Sequence, residues 1–444
     1  SRYGLDEASL RKINPRLIYA TGSGYGITIN NDSSVDIGFL NDGTITGVTG
    51  GVMLGAGSDI TGGATNNGLI SGATGFDMNG ASSELRGGIV NNLGATIRGT
   101  TAAAINVSGA AAQLKGGITN FGTIEGQTGA EGIIQSAGTI AGGILNNLGA
   151  VITAGGTSNT AISLTGGNFN GNLTNNGQIL SNGTLGQGVG VSGANIFLGD
   201  IVNSTTGLIS AGSNAIYVDT TGTFTGSILN QGQIRALTAG TGILIDTAGF
   251  TGEIMNQSTG TITAFEDGVS IAGGTFTGGV TNAGRITAGS HGIDVELGGI
   301  VTGVINNTGT IVGDSDTNSA GNGINIGGQV TGGITNSGTI RSSADGINVT
   351  GAATTITQTA GLIQGTTNAL NLQNAAADTF NADGGTLDGN VTGDGTDDFI
   401  MHPSGTFSYL RGTAIGLDQL DMQGTGTAVL GAALRGSSAG ASAA

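Results

Sequence analysis

The nine residues GGVTNAGRI, at positions 278–286, return as GGITNSGTI at positions 332–340, and this repeat decides the fold. Both copies follow the pattern Gly-x-Ile-x-Asn-x-Gly-x-Ile, with Val in place of the first Ile at position 280. All named positions have the same parity, so in an extended chain their side chains point to one face. Small or polar residues occupy the opposite face, which is the period-two pattern of a half-buried strand.

The Asn at the centre of this motif recurs along most of the chain, at intervals of 22 to 29 residues. The recurring residues are Asn41, Asn66, Asn91, Asn120, Asn146, Asn175, Asn203, Asn230, Asn256, Asn282, Asn307 and Asn336, and Gln358 replaces Asn in the next copy. A second element, Gly or Ala followed by Ile or Val, recurs between them. From Val52 to Leu370, 318 residues cover twelve intervals of about 26.5 residues.

Two unrelated markers with one period predict a single-stranded parallel β-helix, an all-β solenoid of about 13 or more coils of ~27 residues. A repeat of this length provides three short strands joined by bends rich in Gly and Asn. Each strand pairs with its equivalent one coil away, at a spacing of ~4.8 Å. The coils therefore predict a rod on the order of 60 Å long.

The inward Asn residues are candidate structural positions, not catalytic ones. Stacked along the rod, equivalent amides can hydrogen-bond to each other in an Asn ladder. The alternative is that Asn merely tolerates the left-handed geometry of a turn. The sequence leaves both interpretations open.

The composition excludes several classes of protein. Gly accounts for 91 of 444 residues without a three-residue period, which excludes collagen, while 37% hydrophobic residues argue against disorder. The net charge of −17 argues against nucleic acid as a partner, because such proteins need clusters of Lys and Arg. No apolar run reaches ~20 residues, so no transmembrane helix is expected.

The two ends differ from the repeat and divide the chain into four predicted segments. Residues 1–26 form an N-terminal cap with a short helix or a fused, foreign fragment, 27–375 the regular solenoid, 376–435 degenerate C-terminal coils, and 436–444 a disordered tail. NPRLIY at 14–19 and SGYG at 23–26 resemble a short segment of family III CoA-transferases. The catalytic Asp of that family has no matching position, so this resemblance carries over no site residue.

The Asn-x-Gly-x-Ile motifs, the Gly-Ile-x-Val motifs and the acidic stretch GDGTDDF at 393–399 together resemble the passenger domains of bacterial autotransporters. This resemblance implies a right-handed β-helix, secreted and displayed on the outer membrane of a Gram-negative cell. It also implies a C-terminal translocator barrel, which needs ~10-residue alternating strands with aromatic girdles. We expect that barrel to lie outside this chain.

The residue pattern predicts no catalytic, cofactor-binding or metal site, and the sequence predicts that the chain is not an enzyme. Carboxylates are scattered, and their closest groupings are Glu266-Asp267, Asp314-Ser315-Asp316 and 394–398. Solvated turns are the expected role of these groupings. The two His residues, His291 and His402, are expected to be loop residues rather than ligands, because no Cys is present to complete a zinc site.

The remaining candidate is the long polar face formed by the outward positions. Its Thr, Ser, Asn and Gln residues suit weak, multivalent contacts with host or matrix glycans, with matrix proteins, or with a second copy of the chain. The sequence therefore predicts a structural or adhesin passenger. The alternatives are a passive spacer stalk and a polysaccharide lyase or hydrolase on the same scaffold.

Overall fold

The computed structural model describes residues 25–30, 32–315, 321–431 and 433–434. The chain winds as an all-β parallel solenoid of about 15 turns, without a helix among the described residues. The predicted fold class is therefore confirmed. The helix expected within residues 1–26 and the tail at 436–444 lie outside the described residues.

Each regular coil contains three strands of one large sheet and a fourth, shorter strand that the sequence did not predict. The first strands, which end in the stacked Asn or its equivalent, are Phe39–Asn41, Ala64–Asn66, Ile89–Asn91, Ile118–Asn120, Ile144–Asn146, Leu173–Asn175, Ile201–Asn203, Ile228–Asn230, Ile254–Asn256, Val280–Asn282, Ile305–Asn307, Ile334–Asn336, Thr355–Gln358 and Thr379–Ala382. The second strands are Thr44–Thr46, Leu69–Gly72, Thr96–Gly99, Thr123–Gly126, Val151–Ala154, Gln178–Ser181, Leu208–Ala211, Gln233–Ala236, Thr261–Ala264, Arg285–Ala288, Thr310–Val312 and Thr339–Ser342.

The third and fourth strands complete the coil. The third strands are Tyr25–Ile29, Gly50–Leu54, Thr74–Met78, Ile105–Val107, Ile133–Gln135, Ile162–Leu164, Val189–Gly193, Ile216–Thr220, Ile243–Asp246, Ile293–Val295, Ile324–Ile326 and Asp345–Val349. The fourth strands are Ser34–Val35, Asp59–Ile60, Glu84–Leu85, Gln113–Leu114, Thr139–Ala141, Asn168–Asn170, Ile196–Leu198, Thr223–Thr225, Phe250–Thr251, Gly299–Val301 and Gln329–Val330. Val269–Phe276 spans the third and fourth positions of its coil.

The register places equivalent residues directly above one another. Asn203, for example, is the partner of Asn175 on one side and of Asn230 on the other. Apolar columns fill the interior in the same way, and the inward Ile residues of the second strands are buried in every coil from Ile70 to Ile340. The fourth strands contribute a stack of buried rings, Phe169, Phe197, Phe224, Phe250 and Phe276, whose successive centroids lie 4.7, 4.5, 4.5 and 5.0 Å apart.

The second Gly of the repeat motif is required by a close approach between coils. A Cβ built on Gly284 would lie 2.2 Å from the carbonyl oxygen of Gly260 and 2.9 Å from Nδ2 of Asn256 in the preceding coil. No rotamer can relieve a contact with backbone at that distance. The spacing Asn-x-Gly therefore reflects the space left between one stacked Asn and the next coil.

The coils become shorter and less regular after Thr379–Ala382. Thr379 pairs with Asp398 and Asp398 with Gln419, so successive turns contain only 19 and 21 residues. Leu362–Leu372 is the long strand before this part, and the strands after it are Gly385–Met401, Thr406–Arg411, Thr413–Met422, Thr427–Leu430 and Ala433–Leu434. Several of them are long because they run through the bends that separate strands in the regular coils.

Candidate functional site

The twelve Asn residues singled out in the sequence lie inside the solenoid, with at most 5% of each residue exposed. Nδ2 of each one donates to Oδ1 of the next at 2.7–2.9 Å, and the last, Asn336, donates to Oε1 of Gln358. We call this row the Asn stack. Its amides hold the coils together and are not available to a ligand.

A second polar row lies at the bend that precedes the third strand, one residue per coil. This bend column is formed by Asn214, Thr241, Asp267, His291, Asn322, Asp345 and Asn368. Most of its members use a side-chain acceptor to bind the backbone N–H of the next member. The acceptors are Oδ1 of Asn214, Oδ1 of Asp267, Nδ1 of His291, Oδ1 of Asn322 and Oδ1 of Asp345, at 2.8, 2.9, 2.9, 3.2 and 3.1 Å.

A third polar row lies on the outer face of the third strands. Asn325 donates to Oδ1 of Asp294 at 2.8 Å, Asn348 to Oδ1 of Asn325 at 2.6 Å, and Asn371 to Oδ1 of Asn348 at 2.8 Å. The three Asn side chains, which we call the amide row, are half-buried and fixed by these contacts. The amide row is preceded, one coil earlier, by the carboxylate of Asp294, which is only 7% exposed.

The bend column and the polar row on the outer face of the third strands come together at Asp267, His291 and Asp294. One ligand atom from each of these side chains lies within 4.8 Å of the other two. Asp267 belongs to one coil, and His291 and Asp294 belong to the next. The described residues contain no other group of three His, Asp or Glu side chains with this spacing.

Six carboxylates share this side of the solenoid, and we call them the acidic face: Asp219, Asp246, Glu266, Asp267, Asp294 and Glu296. Burial raises the pKa of Asp294 to about 6 and raises that of Asp267, and the nearby Glu296 adds repulsion to both. Burial, followed by repulsion from Asp219 and Glu296, also raises the pKa of Asp246. The carboxylates thus favour protons or another cation.

Four basic residues of the described ranges form ion pairs, and all four lie elsewhere on the solenoid. Arg86 and Lys115 contact carboxylates on the fourth strands, Arg98 pairs with Glu125 on the second strands, and Arg411 pairs with Asp388 in the late coils. None of these ion pairs includes a member of the acidic face. Among the described residues, the donors that contact Asp267 and Asp294 are neutral ones, such as the backbone N–H of His291 and the amide of Asn325.

The hydrogen bond at His291 determines which ring nitrogen carries the proton. Nδ1 accepts the amide of Asn322 at 2.9 Å, so a neutral imidazole in this position carries its hydrogen on Nε2. The ring makes no hydrogen bond to the carboxylates of Asp267 or Asp294 in the described structure, although one ligand atom of each lies within 4.8 Å of a ring nitrogen. The cluster can accept a cation or donors from a bound ligand.

The other acidic grouping of interest, at 394–398, serves the backbone. Asp397 accepts the amide of Asp378 at 3.0 Å and that of Asp394 at 3.0 Å, while Asp378 accepts the amide of Thr354 at 2.6 Å. Asp378 and Asp397 are fully buried, unlike the solvated turn that the sequence predicts. These carboxylates replace backbone acceptors where the coils lose their regularity.

The sequence predicts a solvated turn at Asp267 and a loop position for His291, and the two residues lie 24 positions apart. That distance is one coil, and each of them immediately precedes the Gly that opens a third strand. Aligning the chain on this Gly is the signal that would have found the cluster. His402, the other His, lies against Asp383 instead.

The fold and this cluster define the chain as a parallel β-solenoid with an acidic outer face. Residues 1–116 match the family model of CoA-transferase family III, which covers 116 of the 444 residues. No curated protein and no solved structure matches the chain. The family match extends the resemblance found at residues 14–26 into coils of the solenoid.

The family match corrects one prediction. CoA-transferases are enzymes, so the prediction that this chain is not an enzyme is wrong. That prediction depended on how far apart the charged residues are in the sequence. In a solenoid, residues one coil apart are neighbours, so separation in the sequence is a poor measure of whether polar groups cluster.

No helix of the described residues has both the length and the apolar character that crossing a membrane requires.

Proposed function

We propose that the chain is a surface-displayed bacterial passenger of the adhesin type, and that it binds glycans along the third-strand side of the solenoid. The observation that carries this proposal is the amide row beside the acidic face. Asn325, Asn348 and Asn371 are half-buried and each is hydrogen-bonded to its neighbour one coil away. Planar amides and carboxylates in fixed positions are well suited to the paired hydroxyls of a sugar.

Preorganisation supports binding at such a surface. A flexible polar side chain loses conformational entropy when a ligand immobilises it, and this loss offsets part of the binding free energy. The amide row has already lost that freedom through its contacts along the rod. Several weak sites repeated at ~4.8 Å then act together on a polymeric ligand.

The shape of the molecule also supports display. About 15 turns at ~4.8 Å form a rod on the order of 70 Å long, which holds a binding surface away from its point of attachment. The net charge of −17 keeps such rods from associating indiscriminately. A passive stalk would share both properties, so the amide row is the feature that favours a binding role.

A glycan array tests this proposal. We expect the purified chain to bind a subset of glycans and the double variant Asn325→Ala and Asn348→Ala to lose at least tenfold in affinity. The control is Thr310→Ala with Thr339→Ala, two residues paired on the outer face of adjacent second strands. Binding that is equal in both double variants, or no binding by the unaltered chain, would contradict the proposal.

The family match favours a second candidate function, the transfer of CoA between a thioester and a carboxylate. The match covers residues 1–116, about a quarter of the chain. Incubation of the purified chain with an acyl-CoA donor and a carboxylate acceptor, followed by mass spectrometry, tests this activity. Formation of the new thioester above the rate of a heat-denatured sample would support it, and equal rates would exclude it for the substrates used.

A further inference from the structure

We propose that Asp267, His291 and Asp294 form a binding site for a divalent transition-metal ion, with Zn²⁺ as the best-suited probe. The proposal does not depend on glycan binding, because it concerns the three converging side chains and not the amide row. One imidazole and two carboxylates are ligands that Zn²⁺ accepts, and three protein ligands leave a further coordination position open.

The distances are compatible with one shared ion. The three ligand atoms lie within 4.8 Å of one another. A point equidistant from three atoms at that maximal spacing lies about 2.8 Å from each, and Zn²⁺ bonds to N and O are ~2.1 Å long. Side-chain movements of about 0.7 Å are therefore sufficient to complete the coordination.

The scaffold holds the ligands in this arrangement before an ion arrives. The carboxylate of Asp267 accepts the backbone N–H of His291 at 2.9 Å, which connects the two coils. Asp294 lies within the strand Ile293–Val295, and Asn325 orients its carboxylate from the following coil at 2.8 Å. Hydrogen bonds of this kind to a ligating carboxylate are typical of the groups that surround protein metal sites.

The electrostatics of the cluster also favour a cation. Asp294 is almost completely buried, and it faces Asp267 and Glu296 without a paired Lys or Arg in the described structure. Repulsion between neighbouring carboxylates is unfavourable where one of them is buried, and an ion between them removes this repulsion.

Binding requires one local change. Nδ1 of His291 accepts the amide of Asn322, so an ion at Nδ1 displaces this hydrogen bond. Coordination through Nε2 also breaks it, because a neutral ring then carries its hydrogen on Nδ1. The free energy of one neutral hydrogen bond is small compared with that of three coordinate bonds, so the loss of this hydrogen bond does not prevent metal binding. Ca²⁺ and Mg²⁺ prefer oxygen ligands alone and are expected to bind more weakly than Zn²⁺.

Titration calorimetry of the chelator-treated full chain with ZnCl₂ tests this site. We expect one saturable equivalent of Zn²⁺, with Kd raised at least tenfold in His291→Asn and in Asp294→Asn. His291→Asn is informative because Asn already occupies the bend column at Asn214 and Asn322, where it accepts the same backbone hydrogen bond. This variant removes the imidazole while preserving the bend, which thermal unfolding can verify.

The matched control is His402→Asn, the same substitution at the other His, which lies beside Asp383. We expect this control to change Kd less than twofold. Absence of saturable binding, or equal affinity in His291→Asn and the unaltered chain, would overturn the proposal. Co²⁺ provides a second measurement, because its visible absorption bands should be lost in His291→Asn and kept in His402→Asn. Neither result depends on whether glycans bind.

Discussion

The Asn stack and the bend column are both rows of polar side chains with one member per coil. They differ in which groups donate and accept the hydrogen bonds between coils. In the Asn stack, each side chain donates to the next side chain and accepts from the previous one. In the bend column, most side chains accept a backbone N–H, as Nδ1 of His291 does from Asn322. The first row requires both a donor and an acceptor, and the second requires only an acceptor.

This difference explains why one row is uniform and the other is varied. Only an amide can both donate and accept in the confined space of the Asn stack, and twelve Asn are followed by Gln358. Asn, Asp and His can all supply the single acceptor that the bend column needs. The residue type can therefore change along the bend column without loss of the fold, and Asp267 and His291 of the metal-ligand cluster both belong to this column.

The largest change in stability is expected from a substitution in the middle of the Asn stack. Asn203→Leu leaves one N–H of the Asn175 amide and Oδ1 of Asn230 without their partners inside the solenoid, while the other N–H of Asn175 keeps the carbonyl of Leu208. Each buried group left unsatisfied costs about 1–3 kcal/mol, so we expect a loss of about 4 kcal/mol in the free energy of unfolding. Denaturant unfolding followed by circular dichroism measures this loss.

The control for this prediction is Thr205→Leu, two residues further along the same bend. Leu93 and Leu148 occupy the equivalent position in other coils and are exposed there. Thr205→Leu should therefore change the stability by less than about 0.5 kcal/mol. A loss of similar size in both variants would show that the bend, not the amide contact, is sensitive.

The second largest change in stability is expected in the coils that follow the end of the Asn stack. Ala382, Met401 and Met422 continue its position after Gln358, and buried carboxylates now accept backbone hydrogen bonds nearby. Burial, with repulsion from Asp397, raises the pKa of Asp378 to about 7. The folded chain therefore keeps a proton that the unfolded chain has released between about pH 4 and pH 7, so this contribution to stability falls as the pH rises through that window.

Asp378→Asn removes this titration and keeps an oxygen to accept the amide of Thr354. We expect the variant to be more stable than the unaltered chain above pH 7, by on the order of 2 kcal/mol, with little difference at pH 4. Asp394→Asn is the opposite control, because hydrogen bonds from Thr396 lower the pKa of Asp394. Its carboxylate stabilises the fold at neutral pH and loses that effect in acid. A pH-independent difference for Asp378→Asn would refute this prediction.

The contrast between the Asn stack and the bend column also explains which features the sequence could predict. The uniform Asn stack repeats one residue type, so the period and the solenoid followed directly from it. The fourth strand was missed because its members share only one buried apolar position, occupied by residues as different as Leu114, Ile140 and Phe169. The cluster at His291 was missed because a varied column has no sequence pattern, and only the coil register brings its members together.

A smaller change in stability is expected from a substitution in the bend column. His291→Leu removes the acceptor for the amide of Asn322, which costs about 1 kcal/mol. His291→Asn supplies another acceptor, so its stability should lie within about 0.5 kcal/mol of the unaltered chain. Unfolding measured in the presence of a chelator separates these effects from those of bound metal. Equal losses in the two variants would mean that the bend column requires imidazole in particular.

The smallest effect is expected on the outer face of the second strands, where Arg98 pairs with Glu125 of the next coil. Both side chains are partly exposed, and ion pairs of this kind contribute about 0.2–1 kcal/mol, less at high salt. We expect Arg98→Gln to lower the free energy of unfolding by about 0.5 kcal/mol in dilute buffer and by less in 1 M NaCl. A loss as large as that of Asn203→Leu, or one that salt does not reduce, would mean that surface charge contributes to coil stacking as much as the buried amides do.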